Sequence, residues 1–369
     1  MELTDEQQNE NDNGFSRRSF LRRFGTALLS GGFFAGSGIT MGARARSAKS
    51  NEDLGFNDIS GIPRVDRVAA DPTDIPPPIH RRTSKTHDVT LTTKELVAEI
   101  EDGVEFKFMT FNGRVPGPMI RVRQGDTINL TFKNLPENTT QHNVDFHAVY
   151  GTGGSAVATM SPPGVTQHVT FKALYPGAFI YHCAVLRLDM HISSGMFGMI
   201  LVEPPEGLPE VDHEFYFGQH EVYTDKKAGE KGHHNFDRQS MLDENPTYVL
   251  LNGEKHAITP DRYGALNVNR GENARVFLVT GGPNLTSNFH PIGNVWTKAW
   301  REGAVHNTPE TYLQTCQVAP GSCGVFEMDY PVPEKIMLVD HAITRYANKG
   351  MLGIINVKGK DQPEIFNAK

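Results

Sequence analysis

The segment YHCAVLRLDMHISSGM at 181–196 concentrates soft metal ligands in a short stretch of chain. Cys183 is followed after eight residues by His191 and after five more by Met196. A cysteine thiolate, two imidazoles and a weakly bound methionine thioether are the ligands of a blue-copper electron-transfer site. His142, in the motif QHNVDFH, is the candidate for the second imidazole. The pattern therefore predicts a copper site, whereas a lone cysteine would indicate a small buried core residue.

Strand geometry predicts a second site behind the first. Neighbouring side chains on a strand point to opposite faces. If Cys183 faces the first site, His182 faces away from it. His142 and His147 are five residues apart, an odd number, so they also face opposite ways, and Asp145 shares the face of His147. His147 and His182 would then hold a second metal; the alternative is a pair of partly exposed sheet histidines without a metal.

The second site needs a further ligand, because a catalytic copper or zinc takes at least three protein ligands and keeps one position open. If the histidine pair faces a subunit boundary, this ligand can come from another copy of the chain. The candidates are His290 in NFHPIG and His341 in LVDHAI. His341 ends an apolar strand at a place that corresponds roughly to the His–Cys pair of the first half. We therefore expect His341 to be the ligand and His290 to be a nearby non-ligand.

His182 and Cys183 are consecutive, so their Cα atoms lie about 3.8 Å apart. An electron that arrives at a thiolate-bound copper can cross to an imidazole-bound metal through this short covalent path. The adjacency therefore predicts electron transfer between the two sites.

The remainder of the sequence predicts an all-β fold. From residue 86 onward, short runs rich in Val, Ile, Thr and Phe alternate with Gly, Pro and Asn turns, as in an antiparallel sandwich or barrel. FNG with IRVRQGDTINLTF is echoed by LNG with LNVNRGENARVFL, and GMFGMILV is echoed by GMLGIINV. We therefore predict two tandem Greek-key β-sandwich domains, at 86–208 and 209–358, and a C-terminal tail at 359–369.

The N-terminal residues predict export. SRRSFLRR at 16–23 is followed by a weakly apolar, glycine-rich run and then by ARARSA. This order is typical of a twin-arginine-type signal, which we place at 1–48, so the mature protein is expected in the periplasm. A membrane anchor is the alternative, which the short, glycine-rich run disfavours. Residues 49–85 are polar and proline-rich and predict an extended arm.

The composition limits the expected partners. The chain has 369 residues and a formal net charge of −7, and the body of the sequence has no basic stripe. Nucleic acid is therefore not an expected partner. An acidic surface instead favours a basic protein partner.

Several motifs together resemble the copper-containing dissimilatory nitrite reductases. They are HNVDFH, YHCA, MHISSGMFGMILVEP, GGPNL, SNFHPIG and VDHAI. The similarity runs over about 86–358 in the family's order, and the eight-residue step from Cys183 to His191 is similar to that of the short-loop branch. The resemblance implies two cupredoxin-like domains per chain, two coppers per chain and a homotrimer with the catalytic copper between subunits.

The resemblance also implies a role for each candidate residue. The implied type 1 copper ligands are His142, Cys183, His191 and Met196. The implied type 2 copper ligands are His147, His182 and, from the neighbouring subunit, His341. Asp145 and His290 match the catalytic acid–base residues, and Ile292 matches the apolar residue that crowds the substrate. The implied reaction is one-electron reduction of nitrite to nitric oxide and water, with a small copper protein or a c-type cytochrome as electron donor.

The other two cysteines depart from the family pattern. Cys316 and Cys323 flank VAPGS, which predicts a hairpin turn. In an exported protein they could form a cross-strand disulfide; the alternative is two free thiols.

Two other functions stay open at the level of sequence. A two-domain multicopper oxidase needs His-x-His pairs and a His-Cys-His triplet, whereas this chain has HNVDFH and places Ala184 after the cysteine. A non-enzymatic cupredoxin electron carrier explains the first site but leaves His147 and His182 without a purpose. Copper content separates the cases, with one copper per chain expected for a carrier, two for a reductase and about four for an oxidase.

Overall fold

The structure is a computed structural model that describes residues 56–260, 262, 264 and 266–368. The export signal predicted at 1–48 lies outside the described residues. Within them, no helix is long and apolar enough to span a membrane.

The first half of the described chain forms two sheets around one apolar core. Its strands are β1 Thr86–Glu101, β2 Val104–Phe111, β3 Ile120–Arg123, β4 Thr127–Asn134, β5 Asp145–Phe146, β6 Thr166–Lys172, β7 Gly177–His182 and β8 Phe197–Glu203. One sheet has the order β2-β1-β4-β6 and the other β3-β8-β7-β5. Alternation makes these strands amphipathic: in β4, Ile128, Leu130 and Phe132 are buried between more exposed polar residues.

The second half repeats this architecture with more strands. Its strands are β9 His213–Val222, β10 Gly232–His234, β11 Tyr248–Leu251, β12 Leu266–Asn269, β13 Asn273–Gly282, β14 Ser287–Ile292, β15 Trp296–Trp300, β16 Glu310–Leu313, β17 Cys316–Val318, β18 Ser322–Asp329, β19 Glu334–Asp340 and β20 Leu352–Lys358. The sheets have the orders β11-β9-β13-β18-β15-β16 and β12-β20-β19-β14-β17. β10 instead pairs in parallel with β2 and extends the first half's sheet. The prediction of a mostly β fold with two sandwiches is confirmed.

Short helices occupy the connections between strands. They are α1 Leu188–Ser193, α2 Arg238–Leu242 and α3 Ile343–Lys349, with 3-10 turns at Thr152–Ser155 and Arg301–Gly303. α1 lies inside the ligand-rich segment and brings the chain from Cys183 back to β8. Asp237 caps α2, because its carboxylate accepts the backbone N–H of Gln239 at 3.0 Å.

The two halves pack directly against each other. The core of the first half continues into side chains of β9 and β13, including Tyr216, Phe277 and Val279. Phe197, at the start of β8, is fully buried at this boundary. A Cβ at Gly281 would lie 2.7 Å from the ring of Phe197, so only glycine allows the strand to approach so closely. The end of β7, where His182 lies opposite Phe197, is therefore supported from both halves.

The arm predicted at 49–85 is described from residue 56 onward. It is extended and hydrogen-bonded rather than free: Val65 N–H donates to Val97 O at 3.0 Å, and Ala70 N–H donates to Val115 O at 2.9 Å. The carboxylate of Glu254, in the second half, accepts the N–H groups of Val68 and Ala69 at 3.0 Å each. The arm thus crosses both halves of the molecule.

Cys316 and Cys323 are both buried free thiols, so the possible disulfide between them is absent and the alternative applies. The physical reason is that they belong to different sheets. Cys316 lies opposite Phe289 on β14, whereas Cys323 lies opposite Val279 on β13. The turn between them carries the chain from one sheet to the other, so it is not a hairpin and the cysteines are not cross-strand partners.

Candidate metal centres

His142, Cys183 and His191 form a buried group, called here the first cluster. The Nδ1 atoms of His142 and His191 lie 3.9 Å and 3.6 Å from Cys183 Sγ. None of the three residues is more than 4% exposed. Burial alone would raise the pKa of Cys183, but the facing imidazoles of His191 and His142 hold it well below its ordinary value. Two imidazole nitrogens directed at a thiolate in a dry pocket are a donor set suited to copper.

Local backbone structure holds the cysteine in place. The side chain of Asn143, fully buried, accepts the N–H of Ala184 at 2.7 Å through Oδ1 and donates to Ala156 O at 3.0 Å. The N–H of Cys183 donates to the carbonyl oxygen of Met196 at 3.2 Å. Met196, the predicted thioether ligand, is fully buried, and its backbone lies against that of the cysteine.

Groups outside the ligand motifs contact both imidazoles of the first cluster. Nε2 of His142 donates to the carboxylate of Glu95 at 3.3 Å. The ring of Phe56, from the arm, meets the ring of His191 edge-on, with centroids 5.9 Å apart. Neither contact was predicted from the sequence. Glu95 lies 47 positions before His142 and looks like an ordinary strand residue.

Asp145, His147 and His182 form the second cluster. Nε2 of His147 and Nε2 of His182 lie 3.1 Å apart. His182 donates its Nδ1–H to the carbonyl oxygen of Cys183 at 3.0 Å, so its Nε2 presents a lone pair toward His147. Two convergent imidazole nitrogens beside a carboxylate are able to hold a divalent metal. A cleft of about 660 Å³ opens beside His182 and is bordered by Gly321 of the second half.

The carboxylate of Asp145 is held under a glycine-rich turn. Asp145 pairs with His182 between β5 and β7. Gly154, with φ of +53°, lies against it so closely that a Cβ there would overlap the carboxylate. A side chain at this position is therefore excluded both by the backbone conformation and by the contact. The run GTGGS after HNVDFH is the sequence signal for this element.

His290 and His341 lie together on the second half of the chain. Their ring centroids are 5.1 Å apart. His290 donates Nδ1–H to Gln314 O at 2.7 Å, so its Nε2 carries the lone pair of the neutral ring. Ile292 lies two residues further along β14, half-buried, on the same face as His290. Among the described residues of one chain, neither histidine joins the first or the second cluster.

The clusters lie where strand parity predicted them, although HNVDFH is not one continuous strand. Only Asp145 and Phe146 belong to β5, and His142 forms an isolated bridge with Ser161. The backbone of His147 is fixed separately, since its N–H donates to Ile180 O at 3.1 Å. The opposite orientations of His142 and His147 are therefore set by their separate contacts with Ser161 and with Ile180 of β7, not by one continuous strand.

Known proteins provide an independent comparison. A family model described as multicopper oxidase matches residues 92–207. A copper-containing nitrite reductase of Neisseria meningitidis serogroup A is 44% identical over 308 residues, covering 84% of this chain and 79% of the relative. One from Cereibacter sphaeroides is 32% identical over 329 residues, covering 82% and 85%. The solved copper nitrite reductase from Nitrosomonas europaea matches with a TM-score of 0.67 and 30% identity, covering 76% of this chain and 96% of that one.

The two sandwiches and the two donor sets define a two-domain copper protein of the cupredoxin class. Within this class, the chain belongs to the copper-containing nitrite reductases. It is therefore a copper-dependent oxidoreductase, and the predictions of family, enzyme class and cofactor are confirmed. The individual ligand assignments, the domain boundaries and the homotrimer stay predictions.

Proposed function

We propose that this protein reduces nitrite to nitric oxide and water, taking up one electron and two protons. The electron would be accepted at the first cluster and used at the second. The observation that carries this proposal is the placement of consecutive residues in different clusters: Cys183 with His142 and His191, and His182 with His147. A single peptide unit then joins an electron-accepting site to a site with room for an anion.

The copper ligands are assigned by geometry and by family position. The proposed type 1 ligands are His142, Cys183, His191 and Met196. The proposed type 2 ligands are His147, His182 and His341 of the partner subunit in a homotrimer. Bound copper supplies a one-electron carrier at the first cluster and a Lewis acid with an open position at the second.

Asp145 and His290 are the proposed proton donors. Asp145 belongs to the second cluster and lies under Gly154, so its carboxyl group is held beside the histidine nitrogens that would bind the metal. It hydrogen-bonds the bound anion and transfers a proton to the leaving oxygen. His290, fixed through Gln314 O, presents Nε2 for the second proton when the partner subunit completes the site. Ile292, on the same strand, limits the space beside the substrate.

The proposed cellular setting is the periplasm. Copper-containing nitrite reductases are generally exported, and residues 1–48 match a twin-arginine-type signal, which supports export of this chain by that route. The electron donor is proposed to be a small copper protein or a c-type cytochrome, because the first cluster accepts one electron at a time.

Anaerobic nitrite turnover with a reduced dye, together with copper counting, tests the proposed function. We expect nitric oxide as product and about two coppers per chain. The match to the multicopper oxidase family model favours oxygen reduction as the second candidate, which predicts about four coppers per chain and oxygen uptake. One copper per chain and no nitric oxide would leave only the electron carrier.

A further inference from the structure

A buried ion pair lies behind the first cluster. Glu95 on β1 and Lys107 on β2 are 1% and 3% exposed, and Lys107 Nζ lies 2.9 Å from Glu95 Oε2. Burying two charges is costly unless further hydrogen bonds satisfy them. A charge pair in this position therefore needs hydrogen bonds from neighbouring groups.

The surrounding groups satisfy this pair. The carboxylate of Glu95 accepts the N–H groups of Thr139 and Thr140 at 2.9 Å each and the hydroxyl of Thr139 at 2.6 Å. Lys107 Nζ also donates to Thr139 Oγ1 at 3.0 Å and to the carbonyl oxygen of Asp58, in the arm, at 3.1 Å. The hydroxyl of Thr140 also donates to Glu95 Oε1, at 3.2 Å, and together these bonds fix the position of the carboxylate.

The same carboxylate also faces His142. Glu95 Oε1 lies 3.3 Å from His142 Nε2. A carboxylate is only an acceptor, so Nε2 carries the proton and Nδ1 presents its lone pair to the side where Cys183 Sγ lies. Carboxylate partners of this kind fix the orientation of a metal-binding imidazole and raise its basicity.

We propose that Glu95 and Lys107 are positioning residues that shift, in opposite directions, the reduction potential of the copper held by His142, Cys183 and His191. This inference rests on the proposed function, since it requires a redox-active copper at the first cluster. The negative carboxylate favours oxidised copper and the ammonium opposes it, because both charges lie in a low-dielectric interior. The paired charges offset each other, so removing either one shifts the potential in a direction fixed by its sign.

Redox titration of the visible thiolate–copper absorption against mediators of known potential tests the proposal. E95Q, which keeps an acceptor but removes the negative charge, should shift the equilibrium toward reduced copper by about tenfold, or about 59 mV for one electron. K107M should shift it in the opposite direction. E105Q is the matched control: Glu105 lies two residues from Lys107 on β2, but its side chain is 33% exposed in its pair with Arg64, so a shift under about twofold is expected.

The double variant E95Q/K107M guards against loss of folding, because it leaves no uncompensated buried charge. It should keep copper and titrate within about twofold of the parent. Shifts of the same sign in both single variants, or a tenfold shift in the double variant, would overturn the proposal. An unmodified protein that lacks the absorption would instead refute the proposed function, so the two failures are distinguishable.

Discussion

The Nδ1–H group of His182 donates to the carbonyl oxygen of Cys183 at 3.0 Å. This bond directs Nε2 of the same ring toward Nε2 of His147, 3.1 Å away, while the thiol of Cys183 faces the first cluster. One dipeptide therefore connects the two clusters both covalently and through a hydrogen bond. Substitutions on either side of this peptide should affect one cluster and spare the other.

Replacing Cys183 by serine tests the first cluster. A serine hydroxyl does not supply the soft, charged thiolate that this donor set provides. Cys183→Ser should therefore lose the visible thiolate–copper absorption, and copper content should fall by about one per chain. Absorption spectroscopy and metal analysis of the purified variant measure both quantities, and a variant that keeps its colour would contradict the assignment.

Replacing Asp145 by asparagine separates proton transfer from metal binding. The amide has nearly the same size but does not deliver a proton, and general acid catalysis contributes typically about 10²–10⁴-fold. Asp145→Asn should keep its copper and lose nitrite turnover by about that factor. Asp88→Asn is the control, because Asp88 is an exposed carboxylate on β1 that contacts Asn129. Equal turnover in the two variants would remove Asp145 from the mechanism.

Replacing His341 tests whether neighbouring subunits share a copper. His341→Ala should lose the copper of the second cluster and keep the absorption of the first. Refolding or coexpressing it with His147→Ala should restore part of that copper, because one chain then supplies His341 and its neighbour supplies His147 and His182. Metal analysis of the mixed assembly measures the recovery.

His290→Ala is the control for this experiment, since its ring lies 5.1 Å from that of His341 but is proposed to relay a proton. It should retain copper and lose turnover. Full copper retention in His341→Ala, or absence of recovery on mixing, would rule out a ligand shared between subunits.

Asp126 links the arm to the first half and predicts a pH effect on stability. Its carboxylate is fully buried and accepts from Arg81, from His87 and from the N–H groups of Lys85 and Arg123. Burial alone would raise the pKa of Asp126, but Arg81 and the two N–H groups lower it to about 2. An unfolded aspartate has a pKa of about 3.9, so the stabilisation is present above about pH 4 and is lost as the pH falls toward about 2.

Asp126→Asn should therefore lower the free energy of unfolding by about 2 kcal/mol at pH 7, and by much less at about pH 2. Urea unfolding at both pH values measures the difference. Asp74→Asn breaks an exposed pair with Arg114, in which the Asp74 side chain is 65% exposed, and should cost less than about 1 kcal/mol. A pH-independent loss in Asp126→Asn would show that charge is not the cause.

The sequence predicted the two clusters because alternation along strands is a local rule. It needed only that β7 be extended through His182, as it is. The same rule was too simple for HNVDFH, where only two residues belong to a strand. The opposite orientations of His142 and His147 arise there from contacts with Ser161 and Ile180, which no local pattern reveals.

Long-range contacts were beyond the reach of the sequence pattern. Glu95 and Lys107 look like alternating polar residues of exposed strands, and only the fold shows that they lie behind His142. Cys316 and Cys323 were placed on a hairpin because seven positions and a Pro-Gly pair are typical of one. The chain instead changes sheets at that turn, since β17 pairs with β14 and β18 with β13.

The arm has a consequence for how reducing equivalents reach the protein. His191 is only 4% exposed, and the phenyl ring of Phe56 lies edge-on against it. Phe56 is itself only 5% exposed and packs against Phe236 of the second half. With both rings buried, an external reductant has little direct contact with the imidazole at this edge, and the arm residue that covers it can change without any change in the metal ligands.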